Sequence, residues 1–149
     1  MTKTKRLLTI ISLLIISILC NISCRSDQPL ADCFPHSTVQ VRLLLDHPSY
    51  QALQQLGGWV YVAEQQSGTR GLIVVNTPQG FYVYDRNAPH LCPESNTTLM
   101  VENQTKVVCP KDQSEWNLIN GQAISGTSTP LKRYRYQYET STNTLILFN

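Results

Sequence analysis

The sequence predicts a small all-β domain built from short antiparallel strands, and three observations carry that prediction. Short apolar and β-branched runs recur along the chain, several of them with alternating apolar and polar positions. Turn-forming residues separate these runs at close intervals. No stretch beyond the first two dozen residues carries the apolar period of a long α-helix. Many short strands at such spacing belong to a sandwich or barrel rather than to a parallel α/β sheet.

The elements follow in chain order. Lys3, Lys5 and Arg6 precede a nearly unbroken apolar run from Leu7 to Leu19. The run is shorter than the roughly 20 residues that a spanning helix needs, and it fits the apolar part of a secretory signal. It closes on Asn21-Ile22-Ser23-Cys24, with small Ser23 before a cysteine. This resembles a bacterial lipobox, which implies cleavage after residue 23 and a lipid on Cys24. Asn21 stands where an aliphatic residue is usual. Cys20, behind the bulkier Leu19, is the alternative attachment site, and a plain signal peptide or uncleaved anchor is a further reading. Each version exports the chain. The expected location is the bacterial cell envelope, lipid-anchored at the outer membrane on its periplasmic or surface face.

Residues 1–23 hold three of the twelve Lys/Arg and none of the ten Asp/Glu. The remainder therefore carries nine basic and ten acidic residues, a formal charge of −1. That balance points to no nucleic-acid partner. About 126 residues remain, enough for one domain with its own core. Beyond the export segment and Cys24, the cysteines are Cys33, Cys92 and Cys109. Outside the cytoplasm such thiols form disulfides when they meet.

Residues 24–38 are polar and turn-prone and are expected to form a flexible tether, leaving 39–149 as the domain. Val39, Val41, Leu43 and Leu45 give a first strand with one apolar face. Asp46-His47-Pro48 ends it, and Ser49 to Leu56 predicts a short helical turn before Gly57-Gly58. Strands are expected at Trp59 to Ala63, Leu72 to Val75 and Phe81 to Asp85, with turns at Ser67-Gly68 and Thr77 to Gly80. Further strands are expected at Thr98 to Val101, Lys106 to Cys109, Trp116 to Leu118 and Gln122 to Ser125. Asn120-Gly121 predicts a two-residue hairpin turn between the last two. Leu131 to Glu139 and Thr144 to Phe148 complete the chain around a turn at 140–143. Tyr134, Tyr136 and Tyr138 alternate with Arg133 and Arg135, which reads as one aromatic core face rather than a nucleic-acid surface.

Several motifs then line up. Tyr84-Asp85-Arg86-Asn87-Ala88-Pro89-His90 is followed by Cys109-Pro110-Lys111-Asp112-Gln113-Ser114, Trp116 to Gly121, and Pro130-Leu131-Lys132-Arg133-Tyr134. In order and spacing these resemble the Rieske [2Fe–2S] domain, and more closely its small lipoprotein members from Bacteroidetes-type bacteria. The upstream run from Val39 through Pro48, Tyr50, Leu53 and Trp59 to Val62 is similar to the same lipoproteins. The resemblance implies a Rieske-like sandwich or barrel with two loops at one end. In that family the loops read Cys-Pro-His and Cys-Pro-x-His-Gly-Ser.

This chain departs from the ligand set. Two thiolates and two imidazoles hold a Rieske cluster. Ala88 stands at the first cysteine position and Asp112 at the second histidine, so only His90 and Cys109 keep ligand-type side chains. His36 and His47 lie far upstream. Half of the ligand set is lost, and the expectation is no cofactor, with an atypical [2Fe–2S] site as the alternative. The resemblance also brings Cys92 and Cys109 into the two loops that meet. A Cys92–Cys109 disulfide is the favoured pairing, and a bridge from Cys33 to either is the competing one. His90, Cys92, Cys109 and Asp112 are also ligand types for a mononuclear metal site. No nucleophile elbow, zinc-protease or P-loop motif is present. The expected function is non-catalytic: an envelope lipoprotein binding an unknown protein or small molecule. An electron carrier with an atypical cluster is the alternative.

Overall fold

The computed structural model describes residues 31–149. The export segment, Cys20, Cys24 and the first part of the expected tether lie outside the described residues. Ten strands run β1 (Gln40–Leu44), β2 (Trp59–Val62), β3 (Leu72–Thr77), β4 (Gly80–Asp85), β5 (Met100–Glu102), β6 (Lys106–Val108), β7 (Glu115–Asn117), β8 (Ala123–Ser125), β9 (Arg133–Glu139) and β10 (Thr144–Phe148). A 3₁₀ helix at Pro48–Gln54 fills the place of the expected helical turn. The fold is all-β, as the sequence predicts.

Six strands form one antiparallel sheet in the order β1-β10-β9-β4-β3-β2. The sheet curls back on itself. Its start meets the β2–β3 connection through a bridge between Val39 and Ser67 and a 2.9 Å bond from Gln40 N–H to Gln66 C=O. Alternation fixes what fills it. Val41 and Leu43 of β1, Leu145 and Leu147 of β10, and Leu72 and Val74 of β3 all point inward and are buried. Leu53 of the 3₁₀ helix joins the same core.

The other four strands make a small sheet, β5-β6-β7-β8. It packs on the outer face of β3 and β4, burying Ile73, Val75 and Tyr84 against Leu99, Val107, Trp116 and Leu118. Strand β3 is therefore covered on both faces, which explains its continuous Leu-Ile-Val-Val run in place of alternation.

Two expectations need correction. The β7–β8 connection is longer than a two-residue turn. Leu118 leaves the strand to bury itself in the second core, and Asn117 Oδ1 accepts from Ile119 N–H (2.8 Å) and Asn120 N–H (3.2 Å). That side-chain turn displaces the tighter hairpin. Residues 31–38, placed in the tether, are fastened to the domain instead. Ala31 N–H donates to Pro89 C=O at 3.0 Å, Phe34 is buried, and Cys33 is bonded to Cys92.

Candidate functional site: two loops closed on each other

The first loop begins where β4 ends. Asp85 is wholly buried, and its carboxylate accepts from Tyr134 Oη (2.8 Å), Thr69 N–H (3.1 Å) and Asn87 N–H (2.8 Å). These bonds hold the strand end at a fixed angle. Asn87, also fully buried, braces the loop from inside. Its Nδ2 donates to the carbonyls of Ala88 and Leu91, and its Oδ1 accepts from Thr97 Oγ1 at 2.7 Å. Arg86 ties the base of the loop to Leu99 C=O through Nε at 3.0 Å and lies 3.8 Å from the Tyr61 ring centre. The loop therefore presents His90 at a defined place, its ring 5.7 Å from that of buried Trp116.

The second loop follows β6 and is tight. Cys109 N–H donates to Ser114 C=O and Gln113 N–H donates to Cys109 C=O, both at 2.9 Å. Gln113 takes the left-handed conformation, with φ of 60°. Ser114 is buried, and its N–H donates to Asp112 Oδ1 at 3.1 Å.

The two loops meet at one carboxylate. Asp112 Oδ2 lies 2.6 Å from His90 Nε2 and accepts from Ser114 Oγ at 2.8 Å. A carboxylate only accepts, so His90 carries its proton on Nε2. Burial alone would raise the Asp112 pKa. The bonds from His90, from the Ser114 amide and hydroxyl and from Cys109 outweigh it and hold the carboxyl at about 2. Beside it the Cys109 thiol is completely buried. Burial pushes its pKa up and the Asp112 carboxylate adds to that, against the Lys111 and Asp112 amides that favour thiolate. It is thus an enclosed thiol and not an activated nucleophile. Lys111 and Glu94 add a 2.8 Å ion pair across the outside of the loops.

This geometry places the residues expected from sequence. His90, Cys109 and Asp112 come together, and the fully buried Ala88 packs in the same core as Cys109 and Trp116. The expected Cys92–Cys109 bridge does not form. Cys92 is exposed on the outer side of its loop and pairs with exposed Cys33, with Cα atoms 5.3 Å apart, whereas Cys109 lies buried. The competing pairing from Cys33 is the one present. That bond also removes Cys92 from the expected metal group. Among the described residues no set of three or more His, Cys, Asp or Glu side chains is arranged to hold a metal ion.

The ligand set for a Rieske cluster fits at two of its four positions, the buried thiol of Cys109 and the ring of His90. His90 Nδ1 is buried with no hydrogen-bond partner among the described residues, as a ligand atom would be. The remaining donors do not fit, because Ala88 offers a methyl group and Asp112 is engaged by four protein groups. Nor does Ser114-His90-Asp112 form a nucleophilic triad. Ser114 Oγ (3.4 Å) and Asp112 approach the same ring nitrogen, so no base stands between them.

Sequence reasoning missed Asp85 and Asn87 as supports of the loop, Ser114 as a partner of Asp112, and the Lys111–Glu94 pair. It also missed the docking of the segment around Cys33. The signal there was Phe34, a lone aromatic inside a polar stretch. A cavity of about 690 Å³ lies elsewhere, between Gln51 to Trp59 and the Asn103-Gln104 turn.

No family model matches the chain, and no curated protein matches it significantly. Among solved structures it is similar to the ferredoxin of carbazole 1,9a-dioxygenase from Nocardioides aromaticivorans IC177. The identity is 12%, the TM-score 0.45, and the match covers 73% of this chain and 96% of that one. It is also similar to a ferredoxin from Sphingomonas yanoikuyae B1, at 19% identity and a TM-score of 0.43, covering 64% of this chain and 88% of that one.

Proposed function

We propose that this protein is a membrane-tethered envelope module of Rieske-like design in which direct protein bonds have replaced the iron–sulfur cluster, and that it acts by binding rather than by catalysis. The observation that carries the reading is the Asp112 carboxylate. It joins His90 of one loop to Ser114 and Cys109 of the other, from the position that the second histidine takes in the Rieske motif. A network of this kind holds the loops together without a metal. The enclosed Cys109 thiol and the shared ring nitrogen of His90 give the loops no activated nucleophile, which supports a binding role.

An electron carrier with an atypical cluster is the second reading, and the orphaned Nδ1 of His90 beside the Cys109 thiol favours it. Protein produced anaerobically in an iron-replete host separates the two. The proposal expects a colourless protein without iron or labile sulfide and without an EPR signal on dithionite reduction. Visible bands together with a reduced-state EPR signal would overturn it.

A further inference from the structure

We infer that the end of the domain carrying the two loops is the face that lies against the bilayer, so that the loops' partner is the lipid surface. The inference rests on the proposed lipid at Cys24 and on where the chain enters the fold.

The entry point is the first loop itself. Ala31 N–H bonds to Pro89 C=O, Cys33 is joined to Cys92, and Phe34 is buried with Lys132 Nζ 4.7 Å from its ring centre. From Cys24 to Cys33 the chain advances nine residues. Nine residues reach about 30 Å at most. The attachment therefore sits close to the membrane and at the loop end.

The opposite end is a full strand length away. Strand β9 starts at Arg133, opposite Tyr84 beside the first loop, and ends at Glu139 before the turn at 140–143. Its seven residues cover roughly 20 Å. For that turn to touch lipid, the domain has to invert about Cys33 and draw the tether near its full length, which costs conformational entropy. Were residues 31–38 free, the tether would run fifteen residues to Val39, reach about 50 Å and impose no orientation. The disulfide is what turns a loose leash into an oriented mount.

The test uses the full lipidated chain reconstituted in phosphatidylethanolamine and phosphatidylglycerol vesicles. p-Benzoylphenylalanine is placed at Lys111 in the second loop or at Ser141 in the far turn, both exposed, and lipid adducts are counted by mass spectrometry after irradiation. Several-fold more adduct from Lys111 than from Ser141 is expected. Equal or greater yield from Ser141, in protein that floats with the vesicles, overturns the orientation and leaves the anchor standing. Protein that does not float overturns the anchor and the orientation with it. In a Cys33→Ser, Cys92→Ser variant whose fold is verified by circular dichroism, the ratio should move toward one. An unchanged ratio overturns the pinning argument.

Discussion

The carboxylate of Asp112 is where a single residue does most to set the site. Its pKa falls from 3.8 to about 2 because, against the cost of burial, His90, Ser114 and Cys109 all donate to it. A folded pKa below the unfolded one stabilises the native state above the unfolded value, and that stability is lost as pH falls through the folded value. The window is therefore about pH 4 down to pH 2. The full shift corresponds to roughly 2 kcal/mol, and with about a third of the side chain in water we expect about 1 kcal/mol. Asp112→Asn should be less stable than the parent by that amount at pH 6, and the two should converge toward pH 2. Urea unfolding of both proteins across the range measures it, and a constant difference at every pH would refute the assignment. Gln113 gives a second residue-scale prediction. It sits at φ of 60°, where the related motif has glycine. A left-handed residue costs about 1–2 kcal/mol and glycine's extra freedom in the unfolded chain returns part of that. Gln113→Gly should raise stability by about 0.5–1 kcal/mol in the same assay. Asp112 was legible in the sequence as a departure from a motif, whereas Gln113 drew no reading. The direct His90–Asp112 bond was not legible, because spacing says which residues share a loop and not which atoms face each other across it.

Among the elements, β8 bears on the site through the glycine that follows it. Gly126 has φ of 79°, and a Cβ there would stand 2.5 Å from Ser114 Oγ and 2.7 Å from Ser114 Cα. The end of the small sheet thus leans directly on the second loop. Gly126→Ala combines a left-handed alanine with overpacking against backbone, and should destabilise by about 2–4 kcal/mol. Because the displaced atom is Ser114, the ring resonances of His90 should shift in histidine-labelled NMR spectra. Lost stability with unmoved His90 resonances would show that the glycine serves the sheet alone. The strands themselves were easy to read. The alternation of Val39 to Leu45 and the doubly buried run of β3 state their environments in the order of residues. The β7–β8 connection was misread because local turn propensity at Asn120-Gly121 competes with burial of Leu118, and the tertiary contact wins.

At the scale of the whole molecule, the pairing of two sheets and the return of β1 to the β2–β3 connection depend on contacts between distant segments, which alternation within a strand does not encode. The same holds for the cysteines. Three thiols allow three pairings, and what decides between them is that β6 carries Cys109 into the second core while Cys92 faces outward toward the incoming chain. This assignment has a direct count. The oxidised soluble domain lacking Cys24 should show no reactive thiol when native, one in denaturant (Cys109), and three after reduction. It also has an energetic consequence. Cys33 and Cys92 are 59 residues apart, so the bond removes a long loop's freedom from the unfolded chain. In the chain-entropy model that constraint contributes about 4 kcal/mol. The Cys33→Ser, Cys92→Ser double variant should lose close to that amount in urea unfolding, and adding reductant to the parent should bring the two curves together. If the parent and the variant unfold at the same urea concentration without reductant, the bond is not closed in solution, and the covalent mounting of the domain at its loop end fails with it.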